Sequence, residues 1–231
     1  MIKVIAPFFF TLILSACSVK VGTEVAEAPD LPQKVMPTAE LETQCNSLYT
    51  LTPNGKRISW KGAVPVTFYF DPSFPQEFIP DVQAAITAWN EAAGFKLIQE
   101  KGYRSKATLP GNDNVNTFYF VSPKSPALAA AAKPLFGPDG TIAVTHEYSL
   151  ANKMVDADII FDGVDQAFST SRWHLGSWDV ESTALHELGH ALGLDHNPDP
   201  FSTMFFGGIS YSFSLRKIDE TSRQLLNCEY K

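Results

Sequence analysis

HELGHALGLDH, residues 186 to 196, is the stretch on which the reading of this chain turns. His186 and His190 stand four residues apart, and on a helix that spacing puts both side chains on one face, one turn above the other. Two imidazoles so placed can share a metal ion. A catalytic zinc takes about three protein ligands and keeps a fourth position open, and His196 supplies the third. To return that ring to the same ion so soon after His190, the chain must leave the helix and reverse sharply. Gly193 permits the positive backbone angle that such a break needs. Glu187 lies about 100° around the helix from the first ligand, where its carboxylate reaches a water at the metal without binding the ion. The metal lowers the pKa of that water from about 15.7 toward roughly 7, so Glu187 can take its proton at neutral pH and later pass it to a leaving amine.

Outward from this stretch, a helix is predicted from Asp179 to Leu192, stopped at Gly193, and a last helix from Asp219 to Leu226. Between them Phe201 to Ser214 is aromatic, with glycines and serines, and reads as an irregular loop beside the chemistry. Upstream, Val64 to Phe70 is rich in β-branched and aromatic residues and ends at Asp71-Pro72, as a strand closed by a turn does. Asp81 is placed to cap a helix whose apolar residues Val82, Ala85, Ile86, Trp89 and Ala93 recur at helical spacing, ending at Gly94. Phe95 to Gln99, Thr117 to Val121, Thr141 to Thr145 and Ala157 to Phe161 are further short strands. The order predicts an α+β fold, an α/β sandwich with helices against a twisted sheet.

The chain has 231 residues, 45% hydrophobic and 19% charged, enough for one ordinary domain and too few for two large ones. A formal net charge of −7, with no basic cluster, excludes nucleic acid as a partner. Lys3 followed by the apolar run Val4 to Leu14 is too short to span a bilayer as a helix and reads as a secretory signal. Leu14-Ser15-Ala16-Cys17 resembles the lipobox of bacterial lipoproteins, which implies cleavage before Cys17 and a lipid on it. Ser18 is not the aspartate linked with inner-membrane retention, so anchoring of the domain at the outer membrane of a bacterial envelope is expected. Residues 1–16 are thus read as signal, 17–44 as a proline-containing tether and 45–231 as the folded domain. With Cys17 lipidated, Cys45 and Cys228 remain as an even pair in an exported chain, and a disulfide between them is expected. Closing so long a loop stabilises by roughly 5 kcal/mol in the loop-entropy model, before strain.

The stretch 186–196 matches the metzincin pattern H-E-x-x-H-x-x-G-x-x-H at every fixed position. Within the metzincins the chain looks most like the matrixins. Val64-Pro65-Val66-Thr67, the helix ending in Trp89-Asn90, the strand Asp156 to Phe161 and the final helix after Leu215 follow that family's order over roughly residues 58–230. The resemblance implies a twisted five-stranded sheet with three helices, a horizontal cleft, and a methionine turn beneath the metal, for which Ser202-Thr203-Met204 is in place. By the same resemblance Phe205, Phe206, Tyr211 and Phe213 are candidates to line the pocket for the substrate side chain after the cleaved bond, with hydrophobic packing of the loop itself as the alternative. Asp156, Asp158, Asp162 and Asp165 are candidates for a calcium site, the alternative being a solvated strand edge. There are departures. Asn197 follows the third ligand where animal matrixins have serine. Phe206 stands where astacins and serralysins place a tyrosine ligand. A cysteine-switch segment of the PRCG type is missing, and only His146 and His174 lie outside the motif, so a second zinc is not expected. The function implied is that of a monomeric zinc metalloendopeptidase acting on proteins or peptides. The alternatives are an envelope lipoprotein whose zinc site serves binding without turnover, and a processing peptidase with one target.

Overall fold

The aromatic run at 64–70 forms β1 (Val66–Phe70), whose alternate residues Val66, Phe68 and Phe70 are buried in the core of the computed structural model. The structure describes residues 38–137, 140–171, 176–206 and 213–231. Cys17, Tyr211 and His174 lie outside them, as does the side chain of Phe213. β1 is joined by β2 (Ile98–Tyr103), β3 (Thr117–Val121), β4 (Ala143–Leu150) and β5 (Lys153–Asp162) in a five-stranded sheet of order β2-β1-β3-β5-β4. Pairing is parallel except between β4 and β5, which makes β4 an antiparallel edge strand. β5 is covered on both faces and reads as a nearly continuous buried run, as parallel strands inside a sandwich do.

The described helices are α1 (Thr38–Ser47), α2 (Ile79–Ala93), α3 (Pro126–Ala132), α4 (Val180–Ala191) and α5 (Glu220–Tyr230). A pair of short strands, β6 (Phe168–Ser169) and β7 (Trp178–Asp179), leads into α4. α2 and α4 pack in the main core, where the indole of the fully buried Trp89 donates to the carbonyl of Leu185 at 3.0 Å. The α+β fold and its five-stranded sheet are as expected.

Five helices stand where three were expected. α1 falls within residues 17–44, read as tether, and runs past the boundary at 45. The prolines masked it: after Pro37 come the good helix formers Ala39-Glu40-Leu41-Glu42, with Leu41 packed on the core and Cys45 bonded to Cys228. α3 is the alanine run, started by Pro126 in its first turn. Asp81 is not a helix cap. Pro80 lets the helix begin earlier, at Ile79, and Asp81 sits in the first turn, 3.7 Å from Arg216. β2 starts later than predicted because the Asn90 side chain takes the amides of Leu97 and Ile98, each at 2.8 Å. β4 extends to Leu150 through polar residues, which an edge strand tolerates on its open side.

Candidate active site

α4 is fixed at its start by Asp179, whose carboxylate accepts the amide of Ser182 at 3.0 Å, and Arg216 ion-pairs with both Asp179 and Glu181. Val180, Ala184, Leu185, Leu188 and Ala191 bury one face, leaving His186 and His190 on another. At its end Gly193 adopts φ 93°, and a Cβ there would lie 2.2 Å from the carbonyl oxygen of Ile58. Only glycine meets both demands. The last carbonyls, orphaned in any helix, find donors on other elements. Trp60 Nε1 donates to Ala191 and the Tyr230 hydroxyl to Leu192, each at 2.7 Å, and the Thr50 amide donates to Gly193 at 2.9 Å. The Asp195 amide reaches the Leu48 carbonyl at 2.9 Å. The reversal that delivers His196 is therefore held by the segment after α1 and by α5.

The three rings converge as predicted. His190 Nε2 lies 3.1 Å from His186 Nε2 and 3.3 Å from His196 Nε2. His186 Nδ1 is 2.9 Å from the Thr203 carbonyl and His190 Nδ1 is 2.8 Å from that of Leu194. A carbonyl only accepts, so in both rings Nδ1 carries the hydrogen and Nε2 presents a lone pair. Burial, and then the neighbouring His186 and His196, push the His190 ring down to about 3, which keeps it neutral. Lone pairs aimed at one another repel unless a cation lies between them. Tetrahedral ligands at zinc–nitrogen distances of about 2.0–2.1 Å stand roughly 3.3–3.4 Å apart, close to the observed spacing. The donor set fits a zinc ion, and among the described residues it is the group whose ligand atoms lie within 4.8 Å of one another.

Met204 is buried directly beneath α4: a Cβ added at Gly189 would come within 2.2 Å of its Sδ. The turn that carries it is anchored by Asp219, the N-cap of α5, whose Oδ2 accepts the Thr203 amide at 2.8 Å and the Ser202 hydroxyl at 3.1 Å. Since the Thr203 carbonyl orients His186, the methionine turn, the first ligand and α5 form one connected unit.

A cleft of about 680 Å³ runs between β4 and α4, with the histidine trio and Glu187 in its wall. Glu187 is buried, which pushes its carboxyl above the usual range against the pull of His186 and Thr145. The Thr145 hydroxyl lies 2.7 Å from its Oε2 and 2.9 Å from its main-chain carbonyl. Thr145 and its neighbour on the same strand face, Glu147, also line the cleft, and the reading from sequence singled out neither. The predicted strand ended at Thr145, so Glu147 lay beyond it and only the extension of β4 to Leu150 puts Thr145 and Glu147 on one face. Phe205 and Phe206 line the cleft, Phe206 being 64% exposed.

The other candidates sit elsewhere. His146 meets the Tyr148 ring edge to face, with centroids 4.9 Å apart. Asp156 accepts the amides of Asp113 and Asn114, Asp158 those of Gly111 and Thr117, and Asp162 those of Val164 and Asp165, so these three carboxylates pin loops to β5. Cys45 and Cys228 form the expected disulfide. The family model of the matrixins matches residues 72–224, from the end of β1 into α5, a span that holds the trio, Glu187 and the methionine turn. The chain belongs to the matrixin family of metallopeptidases.

Proposed function

We propose that the chain is a zinc-dependent endopeptidase that cleaves protein substrates with Glu187 as general base. The observation that carries this is the convergence of three imidazole Nε2 atoms at zinc spacing with the Glu187 carboxylate held beside them in an open cleft. Zinc, when bound by His186, His190 and His196, supplies a Lewis acid that acidifies a water and polarises a carbonyl. Glu187 takes the water's proton on a carboxylate oxygen as it attacks, then delivers it to the departing amine. Burial favours this, because a carboxyl of raised affinity accepts a proton more readily. β4 offers the free edge of the sheet along the cleft, so an extended peptide can add as a further strand and pass through on both sides of the site.

The test is cleavage of a mixed peptide library by the purified mature chain. Activity should vanish on chelation and return with zinc, and Glu187→Gln should keep its zinc while losing roughly 10²- to 10⁴-fold in rate. A folded, zinc-loaded chain that cuts nothing in the library would turn the reading toward a processing peptidase with one target or a binding lipoprotein. We also propose that the domain is a monomer held on a bacterial envelope by lipid at Cys17. The lipobox-like Leu14-Ser15-Ala16-Cys17 supports this, as does a disulfide suited to an oxidising compartment.

A further inference from the structure

We propose that Glu147 is a cation-recognising subsite, so that this peptidase favours substrates with lysine or arginine one or two residues N-terminal to the bond it cuts. The proposal rests on the endopeptidase reading above. Side chains on one face of a strand recur every second residue, so Glu147 shares the cleft-facing side of β4 with Thr145, which touches Glu187. It stands about 7 Å further along the strand, the span of one or two residues from the reacting bond.

Its surroundings are the unusual part. Among the described residues the Glu147 carboxylate has neither a hydrogen bond nor an ion pair, and the charges nearest to it, Asp195 and Glu187, share its sign. Burial raises the carboxyls of Asp156 and Asp158 too, that of Asp158 to about 8, but backbone amides bond them, and two other sheltered acids have cations beside them. Glu229 has Arg57, Lys61 and Ser59, and Asp179 has Arg216. Glu147 is partly sheltered in the wall of the cleft, an ionised carboxylate there without a counter-charge is costly, and burial with Asp195 pushes the carboxyl up to about 8. Glu147 holds no element in place, so its acid group has no bonding role in the fold. It is not among the residues whose ligand atoms could enclose an ion, which leaves a single positive group on a flexible stem as the fitting occupant. Antiparallel strand pairing is the more stable arrangement. A substrate paired in that sense with β4 has its N-terminal side beside Glu147 and its C-terminal side toward Thr141.

Peptide pairs that differ only by lysine against norleucine, placed in turn at the three positions before the cut, test this in two ways. One is kcat/KM on the wild type and on Glu147→Gln. The other is binding, by fluorescence anisotropy, to zinc-loaded Glu187→Gln with and without Glu147→Gln, which reads the subsite without turnover. At one position lysine should improve both kcat/KM and affinity by about tenfold or more, and Glu147→Gln should bring the lysine-to-norleucine ratio to near one. Equal handling of the two peptides by the wild type, a preference that survives Glu147→Gln, or no binding of either peptide would overturn the proposal. Lysine-selective binding without any cleavage would leave the subsite standing and sink the peptidase reading instead.

Discussion

Thr145 has one hydroxyl proton and two acceptors in reach on Glu187, the carboxylate at 2.7 Å and the main-chain carbonyl at 2.9 Å. It can donate to the carboxylate while that is charged and turn to the carbonyl once it is protonated, so it steadies the base in both states of the cycle. A hydrogen bond to a charged group contributes about 1.5–3 kcal/mol. Thr145→Val should therefore lower kcat by roughly tenfold or more, with little change in KM or zinc content, and Thr145→Ser should restore it. The bond favours the ionised carboxylate, whose affinity for a proton burial already raises. Removing it raises that affinity further, so the base form is lost at a higher pH. The acid limb of the kcat/KM profile should move upward in the valine variant, and an unmoved limb would deny Thr145 this role. At this scale the three histidines, Glu187 and Gly193 were legible because their relation is local to one helix and its reversal. Thr145 lies 42 positions from Glu187, and only the docking of β4 against α4 brings the two together.

The element that decides whether the ligands stay in register is α5, through its N-cap. Asp219 caps Ser222 and also holds Ser202 and Thr203, the two residues before Met204. Burial works against its charge, but the donors from Ser222, Thr203 and Ser202 win and keep its carboxyl below the usual range. A carboxyl depressed in the folded state adds stability above its ordinary value of about 3.9. That stability drains away as pH falls through the lower, folded value. Asp219→Asn should melt at a lower temperature at pH 7 and show a shallower loss on acidification than the wild type. Parallel melting curves across pH would show that the acid group contributes nothing. The caps of α4 and α5 were readable, since Asp179 and Asp219 precede helical periodicity, and so was the end of α4 at Gly193. The start of α2, the whole of α1 and the reach of β4 were not. Proline at a helix start resembles proline in a linker, and an edge strand with polar residues on its open side lacks the apolar alternation that marks a half-buried one.

Over the whole molecule, the two ends of the domain meet. Cys45 and Cys228, 183 positions apart, join α1 to α5, and Arg57 bridges Glu42 and Glu229 beside them. Counting cysteines was enough to pair them once Cys17 was assigned to a lipid, whereas the clamp they form on the ligand reversal depends on packing that the count does not carry. The lipid assignment has its own measurement. Mature protein extracted from membranes should begin at Cys17 and carry the mass of attached acyl chains, and Cys17→Ser should release the domain from the membrane fraction. An unmodified thiol at Cys17, or a cut elsewhere, would remove the anchor.

The clamp on the ligand reversal ties the third ligand to the docking of α5. Leu192 is held by Tyr230, and Tyr49, which pairs with Leu194, is itself held through its hydroxyl by Leu225. The bend that brings His196 home is thus completed by the 11 residues of α5, and the third ligand is in place only once that helix has docked. A chain with α4 formed and α5 undocked presents its two helical histidines without the third, so metal binding at this site and closure of the domain are coupled.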